Sequence, residues 1–537
     1  MENNQYTYNQ PLEGQMELPQ SEMMSQPGMP MRKRVIYGVQ RMQDVFPRWL
    51  SVYPISAYII ALTLLCFMYS SFSMPWYYII TGVISILIFF LYGSKVVSDN
   101  SINKVRKEKR FERRIFAIAF IPRVLFMLLL YWIFMSNYGD AFGFENADPT
   151  GYDNTGYLFK EAMSSGRFIE EWKNQQVYLD VSDLGYAAYI GLIYLLTGCN
   201  GVSSYDGIGA DSVGIIAVRL LKCIWSALTV VLIYRLSKRN FGTQSGRIAA
   251  IFCALWPNFW YYCGTHLKEV EMVFLAVLFV EQADQMLRSR QFTAWKIIPI
   301  LLIAAALFTF RTVLAFVCVI ALLFAIVMSS TKVVNWGKRI IIGGLAIALI
   351  AVVAGNRIEE RAMGLIEQVQ GGYQKGNMEW RANRKDASGN TQSFARYAGA
   401  AVFAPMILTL PFPTMVRPYE GQEVQQLLNG SNFVKNIMSC FVIFALIILL
   451  MSGKWREHVL PLSFMLGYLV VLVMSAFAHS ERFHEPAMPF EFMFAAYGLS
   501  IAVTKKKYKR WFTYWCVLMF VAALAWNWFK LAGRGLL

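Results

Sequence analysis

Apolar positions along the chain gather into long runs separated by short polar segments. Several runs reach roughly 18–20 residues, enough to cross a hydrocarbon core of about 30 Å as a helix. The pattern predicts spans at Pro54–Phe72, Trp76–Tyr92, Ile115–Ser136, Ser212–Leu236, Ile248–Gly264 and Val270–Leu287. It predicts further spans at Ile297–Phe310, Thr312–Met328, Ile340–Gly355, Val434–Met451, Val459–Ala478, Phe490–Val503 and Trp511–Phe529. The expected fold class is therefore all-α: a polytopic transmembrane helix bundle of about 13 spans.

The polar segments between the runs fix an expected orientation. Basic residues cluster at Arg32–Arg48, at Lys95–Arg114, at Arg235–Arg247 and at Arg288–Lys296. Further clusters lie at Lys332–Arg339, Lys454/Arg456 and Lys505–Arg510. All seven fall on one side of the predicted bundle, and the positive-inside rule makes that side cytoplasmic. Two apolar stretches break the alternation if they cross. Leu184–Leu196 is short, and Tyr397–Val416 carries Pro405, Pro411 and Pro413. Both are read as half-embedded or interfacial segments of the outer face, where irregular backbone requires cover from protein or a water-filled cavity. The segment Asn137–Asp183 is acidic and the segment Asn356–Phe433 is long; both are expected outside, where function concentrates on loops.

Composition agrees with this picture. Of 537 residues, 56% are hydrophobic and only 16% charged. The net charge of +16 resides in the loop clusters, which argues against a nucleic-acid partner. The eight cysteines show no paired spacing, and four histidines make a histidine-rich metal site improbable; no metal or cofactor is expected. Met1–Met31 is polar and rich in Gln, Met and Pro, so it reads as a disordered cytoplasmic tail rather than a signal peptide. The remaining organisation is two N-terminal spans with a basic loop at 32–114 and a core at 115–355 with its outer loop at 137–183. An outer loop at 356–433 and C-terminal spans at 434–537 follow.

Candidate chemistry lies on the outer side. The stretch Glu145-Asn-Ala-Asp-Pro-Thr-Gly-Tyr-Asp153 places Asp148 and Asp153 near the membrane surface with Tyr152 between them. A carboxylate there can act as general base toward a hydroxyl. An ordinary acidic loop turning at Asp148-Pro149 would give the same pattern. Arg219, Lys222, Lys268, Arg311 and Arg482 are cations at the outer ends of apolar segments. Five such groups on separate elements suit one shared anion, such as a lipid phosphate. Pairing of each with a local carboxylate, such as Glu269, Glu271 or Glu481, would satisfy them as well.

In order and placement these features resemble the GT-C class of integral membrane glycosyltransferases. The resemblance is to the branch that contains protein O-mannosyltransferases and the lipid A aminoarabinose transferase. It is carried by Asp148-Pro-Thr-Gly-Tyr152, by Leu158–Gly166 followed by Arg167-Phe168, and by the segment from Gly185-Tyr186 to Gly198. Val218-Arg-Leu-Leu-Lys222, Trp256-Pro257, Lys268-Glu269, the basic break at Arg311 and Arg482-Phe-His-Glu-Pro486 continue it. The likeness covers roughly residues 115–330 well and the C-terminal third weakly. Three departures stand out: Pro149 where the family often has a second acid, two additional spans at the N-terminus, and no soluble domain expected after the last span.

The resemblance implies transfer of a sugar from a polyprenyl-phosphate-linked donor to a lipid, glycan or protein acceptor outside the cytoplasm. The enzyme would be a multi-pass protein of the cell (inner) membrane, among membrane lipids, and would need no cofactor. Asp148 would be the general base and Glu269 a second acid. Tyr152 and Asp153 would contact substrate, and Arg219, Lys222, Lys268, Arg311 and Arg482 would neutralise the departing phosphate. Alternative readings are a polysaccharide polymerase or ligase using lipid-diphosphate-linked glycans, a transporter or flippase, and a scaffold that retains the fold without the chemistry. An enzyme should bring Asp148, Glu269 and the outer cations together. A transporter should instead line a path between the two faces with polar groups.

Overall fold

The computed structural model describes residues 104–143, 147–178, 181–204, 207–289, 293–328, 441–474 and 481–504, with scattered positions between 508 and 521. The predicted tail at Met1–Met31, the spans Pro54–Phe72, Trp76–Tyr92 and Ile340–Gly355, the outer loop at 356–433 and most of Trp511–Phe529 lie outside the described residues.

The described chain is almost wholly helical. Helix α1 (Lys104–Tyr138) is followed by α2 (Ala147–Ser164), α3 (Phe168–Tyr178) and α4 (Val181–Thr197). Next come α5 (Ser212–Phe241), α6 (Thr243–Leu255), α7 (Pro257–Cys263) and α8 (Glu269–Ser289). The helices α9 (Ala294–Phe310), α10 (Thr312–Met328), α11 (Phe441–Met451), α12 (Val459–Met474), α13 (Glu481–His484) and α14 (Met488–Thr504) complete it. Among the described residues, two helical segments, Lys109–Tyr138 and Ser212–Phe241, are long and apolar enough to cross a membrane.

Three features depart from the predicted pattern. The basic segment before the third span is not a loop at Lys104–Arg114, because α1 runs through it without a break. A short antiparallel hairpin, β1 (Gly201–Ser204) with β2 (Gly207–Ala210), interrupts the helices and pairs Gly201 with Ala210. The predicted span Ile248–Gly264 is two helices. Proline at 257 lacks an N–H and pushes its predecessor out of the helical region, and Trp256 is extended at φ −66 and ψ 115.

That break leaves carbonyls at the end of α6 without helical partners. A fully buried arginine on α1 meets them. Arg123 donates to the carbonyls of Ala254 (3.0 Å), Cys253 (3.1 Å) and Ala119 (2.7 Å), and its Nε donates to Ser226 Oγ at 2.8 Å. Trp260 Nε1 donates to the Ala254 carbonyl at 2.8 Å, and the Trp256 indole donates to Glu485 Oε2 at 3.1 Å, tying the break to the C-terminal helices.

Leu184–Leu196, expected to be half-embedded, forms most of α4 and packs between α2 and α9. Small residues permit the close crossing of α2 and α4. A Cβ on Gly191 would lie 2.7 Å from Phe159 Cβ and 2.8 Å from the Gly156 carbonyl.

Four of the basic clusters, those at Lys95–Arg114, Arg235–Arg247, Arg288–Lys296 and Lys454/Arg456, meet through neighbouring residues. Arg235 pairs with Glu112 at 2.8 Å, and Arg239 holds Asp284 at 2.9 Å. Arg288 reaches the Glu457 carbonyl at 3.1 Å, and His458 Nδ1 meets Asn240 Oδ1 at 2.9 Å. Glu269 opens α8 and Arg288 closes it. The two are separated by nearly the helix's full length, about 30 Å.

Candidate active site

Helix α2 opens with Asp148 in its first turn, followed directly by Pro149. Both suit the place. A carboxylate there complements the helix dipole, and a proline in the first turn gives up an N–H that has no helical partner. The departure at Pro149 is thus accommodated by the helix start. Glu269 is likewise the first residue of α8, and its side chain is only 1% exposed. Between the two stands Arg482 on α13. Its Nη1 donates to Asp148 Oδ2 at 2.6 Å and its Nε to Glu269 Oε1. Burial alone would lower the arginine's pKa, but Glu269 and Asp148 outweigh that and hold it above its ordinary value.

The segment that carries Arg482 is anchored on both sides. Tyr468 Oη on α12 donates to the Phe483 carbonyl at 2.9 Å, and Glu485 receives the Trp256 indole. The Arg311 guanidinium lies 4.7 Å from the Phe483 ring centre, and that of Arg482 lies 5.8 Å from it. Arg311 is itself the extended residue that separates α9 from α10.

A second layer joins through aromatic rings. Lys268 Nζ lies 5.8 Å from the centre of the Tyr152 ring, which meets the Tyr186 ring edge-on at 5.0 Å. Lys222 Nζ donates to Tyr186 Oη at 3.2 Å and to the Leu267 carbonyl, and it lies 3.7 Å from Glu271 Oε2. Asp148, Glu269, Arg311 and Arg482 thus form one group of contacts and Tyr152, Lys222 and Lys268 a second, and the two adjoin where Lys268 precedes Glu269 and where α2 carries both Asp148 and Tyr152.

Arg219 and Asp153 lie elsewhere. Arg219 is fully buried, donates to the Ala141 carbonyl at 2.6 Å and faces the rings of Tyr131 and Phe142 at 5.6 and 6.0 Å. Asp153 is 2% exposed and has both oxygens engaged: Tyr194 Oη donates to Oδ1, and the Ala210 N–H donates to Oδ2 at 3.1 Å. Burial pushes its carboxyl up to about 6, with the Tyr194 and Ala210 bonds acting in the opposite direction. His266 Nε2 lies 2.8 Å from Tyr194 Oη. Burial, with Arg219 and Lys222 nearby, depresses the imidazole well below its usual range.

Tyr186, Tyr194 and His266 were not singled out as site residues by the sequence pattern. The only sequence signal for the two tyrosines is their presence in an apolar segment flanked by Gly185 and Gly198. Residues 211–355 match the family described as dolichyl-phosphate-mannose-protein mannosyltransferase. No curated protein and no solved structure matches the chain. The matched region carries Arg219, Lys222, Lys268, Glu269 and Arg311, whereas Asp148 and Arg482 lie outside it. This match, together with the almost wholly helical fold, supports the place of the chain among the GT-C membrane glycosyltransferases that its sequence resembles.

Proposed function

We propose that the protein transfers a sugar, mannose or a close relative, from a polyprenyl-phosphate carrier to an acceptor hydroxyl at the non-cytoplasmic face. One observation carries this reading: Arg482 joins Asp148 and Glu269, two acids 121 positions apart, through bonds spanning 334 and 213 positions of sequence. In the reaction the acceptor oxygen bonds to the anomeric carbon as the bond from that carbon to the phosphate oxygen breaks, with inversion. Asp148 takes the hydroxyl proton, and the electron pair leaves with the lipid phosphate. Arg482 is the group that changes partner. As the donor phosphate arrives, the guanidinium passes to it and releases Asp148 Oδ2 to act as base. Lys268, Lys222 and Arg311 add positive potential where charge develops, a contribution of about 2.7–4 kcal/mol for a well-placed donor. Glu269 keeps hold of Arg482 throughout.

Asp148→Asn preserves shape while removing the basic oxygen, and it should lower turnover by about 10²-fold or more with donor binding largely retained. The assay is release of free lipid phosphate from polyprenyl-phosphate mannose by the purified protein. Full turnover in Asp148→Asn would exclude Asp148 as the base.

A further inference from the structure

Asp153 follows Asp148 on α2 by five residues, which turns it roughly 140° around the helix, away from Arg482. There it meets three other elements. Tyr194 comes from α4, the Ala210 N–H from β2, and His266 from the turn between α7 and α8. The hydroxyl of Tyr194 has one proton to give. Since an ionised Asp153 accepts that proton, Tyr194 must accept from His266, which fixes the neutral imidazole with its hydrogen on Nε2. The depressed pKa of His266 agrees with that neutral state. His266 precedes Lys268 by two residues and Glu269 by three. The chain of bonds thus runs from the helix that bears Asp148 to the turn that bears the other half of the site.

We propose that Asp153, Tyr194 and His266 form a directional positioning relay that sets the Asp148 helix against the Lys268–Glu269 turn. It rests on the reading of Asp148 as the base. Apolar residues of similar volume would hold the two elements together as well, but without direction. Hydrogen bonds with one allowed donor sequence fix register, and a base displaced by an ångström loses much of its rate. None of the three residues touches the reacting atoms. Each acts through the position of Asp148, Lys268 or Glu269.

The test uses the full chain in lipid nanodiscs, with Tyr194→Phe, Asp153→Asn, His266→Gln and Asp148→Asn compared. Two quantities are read: the kinetics of lipid-phosphate release from polyprenyl-phosphate mannose, and amide hydrogen exchange over 147–164. Tyr194→Phe and Asp153→Asn should lower kcat by about 10- to 100-fold at nearly constant KM, with faster exchange along α2. His266→Gln retains a donor near the Nε2 position and should stay within roughly threefold of the parent. If Asp153→Asn fails to fold, Tyr194→Phe, which deletes a single hydroxyl, decides alone. Parental kcat and unchanged exchange in Tyr194→Phe would overturn the relay. So would a loss in His266→Gln as large as that in Tyr194→Phe. Should Asp148→Asn itself prove active, the base assignment fails, and the exchange measurement alone decides the relay.

Discussion

Replacing Arg482 by methionine retains much of the side chain's bulk and removes the guanidinium that joins α2 to α8. Its two partners differ sharply in environment. The Asp148 side chain is 57% exposed, so its ion pair is screened by solvent and contributes about 0–1 kcal/mol. The Glu269 side chain is 1% exposed, and its second oxygen has no hydrogen-bond partner among the described residues. Without Arg482 this carboxylate is a buried charge left unpaired, a defect that costs about 3–5 kcal/mol. The expected loss of stability in Arg482→Met therefore passes through Glu269. Glu269→Gln, placed in the same background, neutralises the stranded charge and should return part of it, giving a coupling energy of about 1.5–3 kcal/mol between positions 482 and 269. The corresponding cycle with Asp148→Asn should give under about 1 kcal/mol. Unfolding in mixed micelles, followed by loss of helical circular dichroism, supplies the four free energies of each cycle. An additive 482–269 cycle, or a larger coupling at 148 than at 269, would refute the burial reasoning.

Two further perturbations test other parts of the fold. Arg123→Met should cost about 1–3 kcal/mol, because it strands the Cys253 carbonyl at the α6–α7 break while Trp260 still serves Ala254, and Arg123→Lys should restore only part, since an ammonium cannot form the same fork. The unfolding midpoint of each variant checks this; an unperturbed Arg123→Met would show that the break needs no internal partner. Asp153, flanked by Tyr194, Arg219 and Asp140, has its carboxyl raised from 3.8 to about 6. The folded protein therefore binds more protons than the unfolded chain between these values, and Asp153's contribution to stability falls as pH rises from 3.8 to about 6 and is flat above. Relative to Asp153→Asn, the parent should lose stability across that window by about 3 kcal/mol at most, and parallel midpoint curves for the two proteins would contradict it.

Much of the fold was legible because burial in a membrane demands long apolar helices, and the runs Ser212–Leu236, Val270–Leu287, Ile297–Phe310 and Thr312–Met328 show them directly. Their observed counterparts α5, α8, α9 and α10 differ from these bounds by a few residues at most ends. The break inside Ile248–Gly264 was carried by Trp256-Pro257, a local signal that the apolar run concealed. The β1–β2 hairpin left no period to read, because its strands are four residues each and rich in Gly and Ser. Arg123 lies inside an apolar run, and most of its partners are backbone carbonyls, two of them on α6, which no pattern of side chains reveals.

The site was legible as a set of residues and not as a set of pairings. Loop charge marked five cations, but hydropathy is blind to which of them meets a carboxylate across the bundle. Lys222 meets Glu271, and Arg482 meets both Glu269 and Asp148. The alternative of local pairing thus describes part of the arrangement. With the buried Glu485 of the Arg482 segment, the site holds four carboxylates (Asp148, Glu269, Glu271 and Glu485) and four cations (Lys222, Lys268, Arg311 and Arg482). Under the proposed function an arriving anion therefore competes with an acid for a cation. A polyprenyl phosphodiester brings one negative charge, and Arg482 passes to it as Asp148 is released. When the sugar leaves, the lipid phosphate gains a second charge while Asp148 is neutralised by the acceptor proton. The total within the site is therefore unchanged through the transfer. Charge moves from the base to the leaving group, and Arg482, which can reach one as the other lets go, lies on its path.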